Sequence, residues 1–309
     1  MEFAELADAS GGTQESAGIR RLGVLRADVD NLGAAFLAGF PAQYATLTRT
    51  AALSRQLSLF FKRYINELCR GNVGRGAEKF SLFGREKKAE RDVHIVYSGG
   101  DDIFLLGAWD DIVELAVDLR RAFQRFTSGK LHFSAGIGFF KDKCPVAAMA
   151  RQTGALESLA KGLRPAKDAV ALFGTSLSGR SADTVKERAE AYGWDDFIDG
   201  VCGEKLAFLR ENLAWNEARD KTRVPFGKSK AYQLLTLLED GGDDIQIARF
   251  AYVLARLAAG LHAEQQAAYE RVRSQLYAWY RDKEERRQLR TALEFIIYSI
   301  REKGENADG

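Results

Sequence analysis

Short apolar runs and longer helical stripes alternate along the first half of this chain, whereas helical stripes alone fill the second. Arg21–Asp28 (RLGVLRAD) is a β-type run that ends in Asp28-Val29-Asp30-Asn31. From Tyr44 to Leu68 the apolar positions Leu53, Leu57, Phe60, Phe61, Tyr64 and Leu68 recur at helical spacing. Gly71 to Asp92 is glycine-rich with mixed charge and reads as a mobile loop. Val93–Tyr97 (VHIVY) and Ile103–Gly107 (IFLLG) are β-runs separated by Ser98-Gly99-Gly100-Asp101-Asp102. That is a hairpin signal, because glycine supplies backbone angles other residues resist. Asp110 is placed to cap the next helix, whose apolar face is Ile112, Leu115, Leu119, Phe123 and Phe126. Leu131–Phe140 is a further strand, Pro145 suits the first turn of a helix reaching Lys161, and Ala169–Phe173 is a last apolar run.

The order β-α-β-β-α-β with an added α-β unit predicts an α+β fold on the ferredoxin-like plan of palm domains, followed by an all-α helical domain. Residues 1–20, rich in Gly, Ser and Ala, read as a linker or the tail of a preceding domain. The palm is assigned to 21–178 and the helical domain to 179–309, with the boundary inside Gly174 to Asp183. The polar end from Lys303 to Gly309 is expected to fray.

Composition narrows the class without choosing the function. An apolar share of 46% and a charged share of 28% suit a soluble globular protein. No stretch reaches the roughly 18 apolar residues of a membrane span. The polar, acidic first residues resemble neither a signal nor a transit peptide. Cys69, Cys144 and Cys202 have no C-x-x-C spacing and read as reduced thiols of a cytoplasmic protein. A net charge of +2 demands no nucleic-acid partner.

The chemistry lies in the acidic positions. In a ferredoxin-like sheet the first and third strands are central neighbours and the hairpin turn lies beside the end of the first, so Asp28 and Asp101 are expected to converge within reach of one metal ion. A few hard oxygen ligands suit Mg²⁺ or Mn²⁺, which keep water and phosphate in their shell. Two such ions can activate a 3′-hydroxyl and stabilise a pyrophosphate leaving group. Gly99 and Gly100 leave room for a base or phosphate beside the backbone. Gly241-Gly242-Asp243-Asp244 repeats the four letters between two helical patterns. There Gly241 reads as a helix stop and Asp243 or Asp244 as an N-cap, with no catalytic assignment.

LGVLRADVDNLGAAFLAGF, LSRQLSLFFKRYIN, IVYSGGDDIFLLGAW, LHFSAGIGFF and LAKGLRPAKDAVALF occur in that order, followed by KSKAYQLLTLLE and LRTALEFIIYSIREK. This set resembles the second palm and the C-terminal helical domain of the large subunit of type III, Csm-type, CRISPR effector complexes. The resemblance implies synthesis of cyclic oligoadenylates from ATP upon target RNA binding, with Mg²⁺ or Mn²⁺. It implies Asp28, Asp101, Asp102 and the Val29 carbonyl as metal ligands, with Asp101 and Asp102 as the catalytic pair. Ser54 becomes an adenine contact, Lys161 and Lys167 phosphate contacts, and Asn31 and Gly33 shape the ribose and phosphate pocket. Asp30 stays open between a ligand and a turn-stabilising role. Implied partners are the small and guide-binding subunits, CRISPR RNA and target RNA, with no membrane.

The full subunit in that family also has an HD nuclease domain and a first palm, to which nothing here corresponds. None of His94, His132 and His262 is followed by Asp. Joining two nucleotides needs two facing ATP molecules, so the chain is expected to be a fragment or split subunit that requires the missing N-terminal half. Two other readings stand beside this one. A GGDEF-like diguanylate cyclase would act on GTP as a homodimer. A silent scaffold would bind small subunits and guide–target RNA through Arg271, Arg273, Arg281, Arg286, Arg287 and Arg290 with Tyr277, Trp279 and Tyr280.

Overall fold

The computed structural model describes residues 2–10, 18–84, 90–173, 189–215, 222–239, 244–258 and 261–300. Two compact units account for them, Met1–Thr13 with Arg20–Trp194 and Gln14–Ile19 with Asp195–Gly309.

The first unit is a six-stranded sheet. Its strands are β1 (Leu22–Val29), β2 (Val93–Gly99), β3 (Asp102–Ala108), β4 (Phe133–Phe140), β5 (Ala169–Phe173) and β6 (Ala189–Gly193), ordered β2-β3-β1-β4-β5-β6. All neighbours are antiparallel except β4 and β5. The first four strands reproduce the ferredoxin-like order, with β1 between β3 and β4. Strand β6 extends the sheet beyond residue 178, where the sequence reading ended it; in AEAYG only Tyr192 is a large apolar side chain and Glu190 interrupts the run, so no long apolar stretch announces it.

Helix α1 (Phe3–Asp8) corrects the reading of 1–20 as a lead-in. Its Leu6 and Ala7 pack with Leu22, Val24, Leu106, Phe140 and Met149, the last from helix α6 (Val146–Gly162). On the other face, α5 (Trp109–Thr127) lies along β1 and β3 with Ile112, Leu115, Leu119 and Phe123 buried. Phe126, expected on that face, is 42% exposed. Asp110 sits inside the first turn rather than at the N-cap, which is Ala108. The stripe from Tyr44 to Leu68 becomes α3 (Leu47–Leu59), a π-helical turn (Phe60–Tyr64) and α4 (Ile65–Cys69). Phe60 and Phe61 both pack on Phe123.

The loop from Gly71 to Asp92, read as mobile, is clamped where it is described. The Arg91 side chain is fully buried and pairs with Glu114 at 2.6 Å and with Asp118. Those carboxylates also accept the Leu82 and Phe80 backbone N–H groups at 2.7 and 2.9 Å, so α5 holds the loop by charge and by main chain together. Burial pushes the Glu114 carboxyl above its ordinary pKa, although Arg91 opposes the shift.

The second unit is mainly helical, with a π-helix at Asp196–Leu206 and helices at Ala207–Asn212, Lys228–Glu239, Asp244–Arg256, Gln266–Arg281 and Lys283–Ile300. A two-residue parallel pairing of Leu213–Ala214 with Val224–Pro225 is its only sheet among the described residues. The buried Lys205 lies between Glu204 and Glu285, 5.1 Å from the Trp279 ring centroid. Trp279 and Tyr280, grouped above with the basic residues, are buried core. Residues 241–243 and the Asp244 side chain lie outside the described residues, but helices flank the second Gly-Gly-Asp-Asp on both sides. No described helix is long and apolar enough to cross a membrane.

Candidate functional site

Register decides which acids meet. The β2–β3 connection is a two-residue turn, Gly100-Asp101, in which Gly100 takes φ 67°. A β-carbon in that left-handed region is strained, so the turn needs glycine there. Gly99 faces Asp102 across the hairpin, and Asp102 in turn faces Asp28 on β1. Directly opposed residues project to the same face, so Asp28 and Asp102 form a cross-strand acidic pair. The expected convergence of Asp28 with Asp101 is therefore a pairing with Asp102. Asp101 occupies the turn, and its carbonyl accepts the Val29 N–H at 3.2 Å.

Helix α6 brings the positive charge. On β4, Gly136 stands beside Arg26, and a β-carbon there would meet the Glu157 nitrogen at 2.5 Å and Leu156 Cβ at 2.7 Å. The missing side chain lets α6 cross in close contact at this point. Lys161 then donates to Asp28 Oδ2 at 2.5 Å and pairs with Glu157 at 2.6 Å, while Arg26 pairs with Glu157 at 2.9 Å. Glu157 went unnoticed in the sequence, although its i,i+4 spacing to Lys161 is a readable helical ion-pair signal.

The electrostatics follow from this packing. Burial pushes the Asp102 carboxyl above its ordinary pKa; Arg26 opposes this, and the neighbouring Glu157 and Asp28 charges add to it. Burial alone would lower the Lys161 ammonium, but its bonds to Asp28 and Glu157 outweigh that and raise it. Burial likewise raises Asp30, against the bonds it accepts from Asp168 and Ser134.

Metal fits this donor set in a limited way. No group of three or more His, Cys, Asp or Glu able to hold an ion occurs among the described residues. Asp102 Oδ1, however, is buried with no hydrogen-bond partner, and Asp28 already holds a cation, the Lys161 ammonium. Two carboxylates completed by water and phosphate oxygens are what Mg²⁺ accepts.

The other expected residues are spread around the pair. Gly100 is exposed, with open space where a side chain would be, whereas Gly99 is buried near Lys62 and Tyr97. Asn31 has left-handed φ 55° at the start of α2 (Leu32–Ala38), and Gly33 is open. Ser54 is exposed on α3, outside the ion-pair cluster. Lys167 stands in the α6–β5 connection. His94 is exposed on β2.

Known proteins with this arrangement agree on its kind. Residues 21–171 match the family described as Cas10/Cmr2, second palm domain, and 217–302 match the CRISPR RNA silencing complex Cmr2 subunit, second helical domain. The subtype III-A single-strand-specific deoxyribonuclease Cas10/Csm1 of Mycobacterium tuberculosis is 40% identical over 97% of this chain and 34% of the relative. Its counterpart from Enterococcus italicus is 41% identical over 92% of this chain and 31% of its own length. A Csm1–Csm4 subcomplex of the type III-A interference complex superposes with TM-score 0.64 at 29% identity, over 97% of this chain and 38% of the other. A Csm1–Csm4 cassette in complex with cA4 gives TM-score 0.65 at 29% identity, with the same shares covered. The chain spans about a third of the length of these curated relatives. It belongs to the family of large subunits of type III-A CRISPR effector complexes, whose second palm and second helical domains it matches.

Proposed function

We propose that this chain is the palm portion of an effector large subunit that converts ATP to cyclic oligoadenylate by 3′–5′ nucleotidyl transfer when its complex recognises target RNA. One observation carries the reading: Asp28 and Asp102 face each other across β1 and β3, with Lys161 already seated on Asp28. Csm1–Csm4 cassettes of this fold, in complex with one ATP, with pppApA and with cA4, supply the substrate class.

Asp28, Asp102, Asp101 and the Val29 carbonyl would hold Mg²⁺ or Mn²⁺, which when bound neutralises phosphate charge and acidifies the attacking hydroxyl. With Asp28 engaged by metal, the Lys161 ammonium would be available to the triphosphate. Lys167 adds a second ammonium, and together they offset charge that metal alone leaves. The open Gly100 backbone admits the phosphates, and Ser54 and Asn31 bound the base and ribose. Each turnover joins two nucleotides, so a second palm must hold the other ATP in line. A Csm4-type subunit, small subunits and the guide–target RNA complete the cytoplasmic assembly.

Asp101→Ala with Asp102→Ala in the assembled complex tests the reading. Product should fall at least about a hundredfold while the melting temperature holds, since the Asp101 carboxylate lies in a turn, the buried Asp102 Oδ1 has no hydrogen bond to lose, and metal charge lowers the barrier by several kcal/mol. Undiminished product from a folded double variant refutes the assignment. A preference for GTP would shift it to a diguanylate cyclase.

A further inference from the structure

Behind the acidic pair, the α6–β5 connection holds two consecutive non-glycine residues in the left-handed region, Lys167 at φ 57° and Asp168 at φ 50°. That region is strained for residues with a β-carbon, so a run of two persists only where its surroundings impose it. The surroundings here are specific. Arg164 donates through Nε to the Lys167 carbonyl and through Nη2 to the Asp168 carbonyl, both at 2.8 Å. Arg120, 1% exposed, holds Asp168 Oδ2 at 2.9 Å, and the Trp194 N–H reaches the Asp168 carbonyl at 3.2 Å. The Lys167 N–H also donates to the Arg164 carbonyl at 2.9 Å, and a further tie comes from Asp30, whose Oδ2 accepts the Asp168 N–H and the Ser134 hydroxyl, each at 3.0 Å.

We propose that Asp30 is a positioning residue that fixes the Lys167–Asp168 turn and so presents Lys167 to the nucleotide phosphates, and that it is not a third metal ligand. The inference rests on the nucleotide site proposed above. Two observations separate the roles. Asp102 lies on the β3 side of β1, whereas Asp30 is bonded to β4 and to the residue before β5, on the opposite side. Its Oδ2 is committed to two donors, and its own N–H donates to the His132 carbonyl at 2.9 Å, which fixes the direction of the side chain. Oδ1 is buried and bonded to nothing, so an amide nitrogen in its place loses no bond.

That difference makes Asp30→Asn the discriminating variant. As a positioning residue, asparagine keeps the acceptor oxygen for Asp168 and Ser134. As a ligand, a neutral amide fails almost as alanine does. The experiment titrates the chain with ATP and with AMP at varied Mg²⁺, for wild type, Asp30→Asn, Asp30→Ala, Lys167→Ala and the Asp30→Ala/Lys167→Ala pair. Asp30→Asn should bind ATP within about threefold of wild type, and Asp30→Ala about tenfold weaker, with AMP affinity and half-saturating Mg²⁺ unchanged. The pair should be no weaker than Lys167→Ala alone, because both changes remove one contact. Hydrogen exchange of the peptide 164–168 should quicken in Asp30→Ala and stay near wild type in Asp30→Asn. Ser134→Ala, which removes one donor only, supplies a milder test if Asp30→Ala does not fold.

Equal losses in Asp30→Asn and Asp30→Ala, with half-saturating Mg²⁺ raised, would identify a ligand and overturn the proposal. Additive losses, or exchange at 164–168 indifferent to Asp30→Ala, overturn it as well. If wild type binds no ATP, the nucleotide reading fails, and with it the presenting role of Lys167. Faster exchange in Asp30→Ala would then still assign Asp30 to the turn.

Discussion

Gly136→Ala tests whether the approach of α6 to the sheet sets the site. The added β-carbon meets the Thr153 carbonyl oxygen at 2.4 Å, the Glu157 nitrogen at 2.5 Å and Leu156 Cβ at 2.7 Å, where ordinary contact begins at 3.4 Å. All three neighbours belong to the helix body and cannot swing aside, so α6 must withdraw by about 1.0 Å, an overpacking that costs about 1–3 kcal/mol. The same withdrawal stretches the Lys161–Asp28 bond of 2.5 Å towards about 3.5 Å, beyond the range of a charge-assisted hydrogen bond. Stability and metal-dependent ATP binding should therefore fall together. The assay is urea denaturation of the chain alongside ATP titration in Mg²⁺. Gly162→Ala is the control, since a β-carbon there meets nothing and the change should stay within about 0.5 kcal/mol. An unchanged denaturation midpoint for Gly136→Ala refutes the packing argument. Lost stability with intact ATP affinity refutes the coupling of helix to site.

Three further outcomes are expected. Arg91→Leu strips the buried Glu114 and Asp118 carboxylates of their cation, and thermal denaturation should register a loss of about 3–5 kcal/mol. Asp243→Ala with Asp244→Ala should leave oligoadenylate synthesis unchanged and cost about 1 kcal/mol if a cap is lost, so an activity loss matching that of the Asp101/Asp102 variant would overturn the separation of the two motifs. The purified chain alone should bind ATP in a metal-dependent way, abolished by chelator, yet yield little cyclic product; abundant product rising with the square of protein concentration would establish a working homodimer.

Five of the six strands were legible because each is an apolar or alternating run bounded by turn residues. Strand β6 was not, since beside Tyr192 its alanines, glutamate and glycine hold a ladder position by main-chain bonding without a continuous apolar signature. The acidic site was legible as a set of types but not as a register. A Gly-Gly-Asp-Asp string leaves open which pair of residues forms the turn, and placing it at Gly100-Asp101 moves Asp102, not Asp101, opposite Asp28. The Arg91 clamp was invisible because its partners lie 23 and 27 residues away, and ion pairs at that range leave no periodicity. Glu157 was readable in principle, as the glutamate one turn before a lysine already singled out.

The central place of β1 also fixes when the site can exist during synthesis. Its neighbours in the ladder are Asp102–Ala108 and Phe133–Phe140, so the strand that carries Asp28 leaves the ribosome long before either. At translation rates of roughly 10 residues per second, about 10 s pass before Phe140 follows Val29. Through that interval β1 has no ladder partner, and of the helices that pack on it only the short α1 has been made, while non-local pairing of this kind makes folding slow. The nascent chain is therefore most exposed to aggregation just when Asp28 has been made. Holdase binding to a stalled chain ending between β3 and β4 should be strong, and should drop once α6 has emerged.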